Sequence, residues 1–237
     1  MMEHDVNQLL SFSSSKPETL HHKTKDKEYQ CNDLFLGIRV PEVRKIAKKY
    51  GNNMSEEALV TLLENPIHEY RLCSLIIMTN QMKKASVEQQ KQIVKFYLDH
   101  IEFVNGWDLV DTSASNVLGR YLLYTKEYKV LYELAKSNDL WKKRISIVST
   151  WILIQNGILD VTIDLSKILL KEKHDLIHKA VGWMLREVGK KDIQLLNEFI
   201  IKNYQNIPRT TLRYAIEKHN NVIRKQILKG DFSWNKQ

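Results

Sequence analysis

The feature that most narrows the fold is a periodicity that does not stop. From about residue 40 onward, apolar residues recur at i, i+3, i+4 and i+7, the spacing that places one stripe on one face of an α-helix. PEVRKIAKKY (41–50), SEEALVTLLEN (55–65), VEQQKQIVKFYLDHI (87–101), YKVLYELAKS (128–137) and DIQLLNEFIIKNY (192–204) all carry it, with short polar breaks between them. Pro41 and Ser55 read as helix starts, a proline in the first turn and a side-chain cap. Only 8 glycines and 4 prolines punctuate the 237 residues, too few for the turns of an all-β fold. No segment joins β-branched alternation to a hairpin turn, so strands are not expected.

Between these helices lies a second set that superimposes on itself. IHEYRLCSLII, WDLVDTSASNVL, LWKKRISIVST, LIHKAVGWMLR and RTTLRYAIEKH align so that Arg71, Asp111, Arg144, Lys179 and Arg213 share one slot, at separations of 40, 33, 35 and 34 residues. Two positions on come Cys73, Ser113, Ser146, Val181 and Ala215, mostly small. A helix pair repeated at this interval is the mark of a HEAT-type solenoid, in which no pair buries its apolar face alone. The expected fold is therefore all-α: a HEAT-like helical-repeat solenoid of stacked antiparallel pairs, with the slot residues along a concave basic groove. One domain is expected over 1–237: an N-terminal helix and irregular segment to residue 33, repeats over 34–230, and a tail over 231–237. No sustained heptad calls for a dimer, so a monomer is expected.

Net charge is +8, which fits a polyanionic partner, nucleic acid before anionic membrane. The plainer reading is a set of solvated lysine faces. Cys31 and Cys73 make neither a disulfide framework nor a metal quartet, which fits a reducing cytoplasm. The first residues lack the basic start and apolar run of a signal peptide, and no apolar run reaches about 18 residues, so no membrane span is expected. GxxxxGK[ST], GxGxxG and GxSxG are absent. His174 and His178 are four apart on a helix, but no third ligand accompanies them. No metal or cofactor is expected.

Four slots hold cations and one holds Asp111. A row of cations suits a phosphate backbone, and an acid within it weakens that binding unless it meets something positive. Trp107 lies one turn before Asp111 on the same face; Lys179, Trp183 and Arg186 likewise share a face. Taken singly, Trp183 reads as a core residue and Asp111 as half of an ion pair. Together, an indole and a carboxylate recognise a cation. On DNA, a cationic ligand is a base alkylated on a ring nitrogen. Breaking its N-glycosidic bond builds positive charge on the sugar, which a fixed anion stabilises. Asp108, three before Asp111, could complete the carboxylate pair of a glycosidase, but it sits where a helix start favours an acid for structural reasons.

FLGIRVPEVRKIAKKY (35–50), WDLVD (107–111), LWKKR (140–144), HKAVGWMLREVGK (178–190) and PRTTLRYAIEKH (208–219) occur in one order, and with them the chain resembles the AlkD-like DNA alkylation-repair glycosylases from about residue 30 to 230. The resemblance implies a HEAT-like all-helical fold on double-stranded DNA, with excision of 3-methyladenine and 7-methylguanine without metal, organic cofactor or base flipping. It places the catalytic aspartate on Asp111, the lesion-side tryptophans on Trp107 and Trp183, and the phosphate-gripping arginine on Arg144. Residues 11–30 depart from the family pattern, and Tyr29 is the candidate for an aromatic contact there. Lys143, Lys179, Arg186, Arg209 and Arg213 are the further expected backbone contacts. The competing expectation is a non-catalytic helical-repeat module that binds nucleic acid or protein through the same face.

Overall fold

A computed structural model describes residues 33–51 and 54–236. The expected N-terminal helix, the irregular segment before residue 33 and Tyr29 lie outside the described residues. The chain is an all-α helical-repeat fold. Among the described residues the sole β feature is an isolated bridge between Leu34 and Ile67. Contacts between Cα atoms divide the chain after Tyr121 into two compact units.

The first unit holds α1 (Val40–Tyr50), α2 (Glu56–Leu63), α3 (His68–Met82), α4 (Val87–Asp99) and α5 (Trp107–Ser113). Local chemistry explains their limits. Pro41 falls in the first turn of α1. Ser55 caps α2 by accepting the Ala58 amide, and Ser86 with Gln89 forms a reciprocal capping box on α4. Helix α3 is the central element and packs on α1, α2, α4 and α5. Nearly all of it is buried, and Leu75, Ile77, Met78 and Met82 are fully so. A central helix is covered on every side, and α3 gives its buried polar groups partners there, as where Ser74 Oγ donates to the Leu59 carbonyl at 3.0 Å. After α5 the chain makes a π turn over Ser115–Gly119, with the Gly119 amide reaching back to the Ala114 carbonyl at 3.0 Å. It continues as α6 (Arg120–Thr125), within which the division falls.

The second unit contains α7 (Lys129–Ala135), α8 (Leu140–Val148), α9 (Trp151–Gln155), α10 (Asp160–Leu169), α11 (Asp175–Lys191), α12 (Ile193–Asn203), α13 (Arg209–Ala215) and α14 (Asn221–Lys229). Asp139, His174, Asp192 and Asn220 cap α8, α11, α12 and α14 through their side chains. Here α11 is the centre, packing on α8, α9, α10, α12 and α13. It meets α13 closely at Gly182, where a Cβ would stand 2.6 Å from the Thr211 carbonyl oxygen and 2.5 Å from Tyr214 Cβ. Glycine here lets two backbones touch. The Thr211 hydroxyl uses the approach to donate to the His178 carbonyl at 3.0 Å. Gly230 ends α14 in the left-handed conformation, φ 77°, which glycine adopts without strain.

The repeat register holds at the level of helix position. The slot residue is the fifth of α5, α8, α11 and α13 and the fourth of α3. The residue two further on is buried in every case, from Cys73 and Ser113 at 0% exposure to Ala215 at 2%. Small residues there let neighbouring helices approach.

Candidate functional site

Helix α5 carries the anomalous acid. Gly106 precedes it in extended backbone and offers no side chain as a cap. The exposed ring of Trp107, 43% accessible, opens the helix. Asp111 follows one turn later and is half-buried, so indole and carboxylate share the outer face. The inner face is pinned to α4: Ser113 Oγ lies 3.0 Å from Tyr97 Oη and donates to the Leu109 carbonyl at 2.7 Å. Tyr97 is wholly buried, which pushes its phenol pKa up. The structural role expected of Asp108 is seen directly. It lies in the first turn of α5, and its carboxylate also accepts from His68 Nε2 at 2.7 Å.

His68 was not legible as a site residue, and it is the centre of a buried charge network. Its Nδ1 lies 2.9 Å from Asp33, which also pairs with Arg71. Burial alone would lower the imidazole pKa, but hydrogen bonds to Asp108 and Asp33 override it and raise it to about 9. Asp33 is shifted the other way: burial opposes its charge, and the His68 and Arg71 contacts hold its pKa below the usual range. The neighbouring Glu69 carboxylate accepts the amides of Leu36, Gly37 and Ile38 at 3.0, 2.8 and 3.2 Å. Gly37 takes φ 77° so that these amides converge. One turn of α3 thus anchors the segment leading into α1. Arg71, the first slot cation, does not face an open surface: it is 5% exposed and committed to Asp33.

In the second unit, Lys179, Trp183 and Arg186 lie along one side of α11, with Trp183 half-buried. Lys179 pairs with Asp175 at 2.7 Å and Arg186 with Glu217 and Glu187. Lys143 pairs with Glu172 at 2.8 Å. Arg144 is buried at 5% exposure, and its Nη1 donates to the Leu176 carbonyl at 2.6 Å, tying α8 to the first turn of α11. Arg209 and Arg213 are exposed on α13, packed beside α11. Tyr214, 37% exposed, stands against Gly182 next to Trp183, and its only sequence signal was its place beside the slot arginine. His174 and His178 have separate partners, the Leu176 amide and the Glu172 carbonyl. Among the described residues no group of three potential ligands surrounds a metal position, and no helix is long and apolar enough to cross a membrane.

An all-α fold whose recurring helix position holds arginine or lysine in four places, two of them buried, and an acid beside an exposed indole in the fifth defines a class of helical-repeat protein. The chain belongs to the DNA alkylation repair enzyme family, whose sequence profile matches residues 17–219. A solved structure described as a predicted DNA alkylation repair enzyme from Enterococcus faecalis is similar to it. That likeness has TM-score 0.65 at 18% identity, covering 80% of this chain and 90% of the other, and establishes the fold. No curated protein matches the chain significantly.

Proposed function

We propose that the protein is a monofunctional DNA glycosylase that hydrolyses the N-glycosidic bond of positively charged alkylated purines, 3-methyladenine and 7-methylguanine, in duplex DNA. The observation that carries this reading is the pair on α5: an exposed indole one turn from a half-buried carboxylate, at a repeat position where the other units of the register hold Arg or Lys.

The chemistry follows from charge. An alkylated purine is already cationic, so the bond from C1′ to the ring nitrogen breaks with its electron pair passing to the purine, which leaves neutral. Positive charge then appears on the deoxyribose. The Trp107 face holds the cationic base. The Asp111 carboxylate stabilises the sugar cation and orients a water, whose oxygen bonds to C1′ as its proton passes to the carboxylate or to solvent. Trp183 contacts the lesion nucleotide, and Arg144 reaches the adjoining phosphate by turning from the Leu176 carbonyl that it holds in this structure. Lys143, Lys179, Arg186, Arg209 and Arg213 contact the backbone. The substrate needs no metal or organic cofactor to become a leaving group, and the base stays in the stack.

The test is release of 7-methylguanine from methylated duplex DNA by wild type and by Asp111→Asn. Wild type is expected to release it. The variant is expected to lose most of the release while binding DNA at least as tightly, because a charge repelling phosphate has gone. Absence of release by folded wild type refutes the enzyme and leaves a binding module. Equal release by both refutes the role of Asp111.

A further inference from the structure

We infer that His68, clamped between the carboxylates of Asp33 and Asp108, is a positioning residue that fixes the turn carrying Trp107 and Asp111. The inference rests on the role proposed above for that turn.

Helix α5 is poorly equipped to hold its own start. It has seven residues, and Gly106 supplies no side-chain cap. Short helices owe their order to packing rather than to propensity, and an uncapped first turn frays. The inner face of its last turn is secured through Ser113 and Tyr97. The first turn has a different tether, from Asp108 to His68 Nε2 at 2.7 Å. His68 is itself packed in: it opens α3, is 4% exposed, and its ring lies 4.9 Å from that of Phe35. Its other nitrogen is held by Asp33 at 2.9 Å, and Asp33 is held by Arg71.

Both ring nitrogens face carboxylate oxygens, and a neutral imidazole can donate from only one. The clamp therefore requires the doubly protonated ring, which two carboxylates favour despite burial. The charged groups facing it are Asp33 from the segment before α1 and Asp108 from α5. On its own helix Arg71 reaches Asp33, while Glu69 turns to the amides of residues 36–38. The effect of this arrangement is geometric: Asp108 lies between Trp107 and Asp111, so releasing it frees the turn that aims both. A displacement of about 1 Å at reacting groups is enough for large rate losses.

Two variants, His68→Gln and Asp108→Asn, and their double combination test this. Amide hydrogen exchange over 107–113 is expected to quicken on the order of tenfold in each, while amides of α4 and α8 keep their protection. Single-turnover release of 7-methylguanine is expected to fall on the order of tenfold with affinity for undamaged duplex unchanged, and the double variant to fall no further than the worse single one. Unchanged exchange over 107–113 in a folded variant overturns the inference, as does a multiplicative loss in the double variant. If wild type releases no base, the function proposed above fails, and the exchange measurement still decides the role of His68. If His68→Gln does not fold, Asp108→Asn decides it.

Discussion

Raising the pH should loosen the first unit well before any lysine titrates. His68 is 4% exposed, and its pKa is raised from 6.5 to about 9, burial being outweighed by Asp108 and Asp33. A group whose folded pKa lies above its unfolded value stabilises fully below the unfolded value, and the contribution fades as pH climbs through the folded one. With both constants, the contribution is about 3 kcal/mol at low pH, and about 2 kcal/mol of it is lost between pH 7 and 8.5. The window is unusually clean. His174 and His219 are both shifted down, chiefly by burial, so they matter only below about pH 6.5. Burial pushes Cys73 up to about 12 and Tyr97 higher still, so their cost begins above their unfolded values of 9.0 and 10.0. The assay is urea unfolding at several pH values between about 6.5 and 9, for wild type and His68→Gln, followed by fluorescence. Wild type should weaken steadily while the variant stays flat. A flat wild-type profile, or parallel slopes in both proteins, refutes the buried imidazolium.

Other outcomes follow from the same contacts. Gly182→Ala forces a methyl against the Thr211 carbonyl and Tyr214, and should lower the stability of the second unit by about 1–3 kcal/mol in the same unfolding assay. Tyr97→Phe removes one of the two partners of Ser113 Oγ in a fully buried site, the Leu109 carbonyl remaining, and should cost about 0.5–1.5 kcal/mol, read by thermal melting. Glu217 pairs with Arg186 at the surface, so Glu217→Gln should tighten duplex binding about two- to fivefold at low salt by removing one of the two acidic partners of that cation, Glu187 remaining, measured by anisotropy. Wild-type affinity should fall steeply as salt rises; a flat profile would place the exposed cations away from DNA.

The helices were legible because their cause is local. Apolar spacing, Ser55 and Pro41 each act within a turn or two, and those elements stand where expected. The slot register was legible for a related reason: repeats of similar length place Asp111, Arg144, Lys179 and Arg213 at the same step of their helices. What spacing could not convey was which of these side chains finds a partner in the fold. Arg71 and Arg144 look alike to Arg213 in sequence, yet both are buried against groups far along the chain, and Arg213 is exposed. Lys143 and Arg186 carry carboxylate partners far along the chain that a row of cations gave no hint of, whereas Lys179 pairs with Asp175 one turn before it on its own helix. His68 escaped notice because its partners lie 35 and 40 residues away. Asp108 was placed correctly at a helix start, while its second bond required knowing what α3 presents there.

The π turn at Ser115–Gly119 has a consequence for descent. Such a turn amounts to one residue inserted into an α-helix, and each residue advances the helix by about 100°. Removing Asn116 would restore a regular helix and recover ordinary backbone bonding. It would also turn everything on one side of the deletion by that angle relative to the other. Ser113 would leave Tyr97, or the residues from Arg120 onward would leave theirs. The easy local repair is therefore costly at a distance, because it changes the phase of the helix on one side of the turn. Comparisons among relatives across 107–125 should accordingly treat a one-residue gap as a change of helix phase.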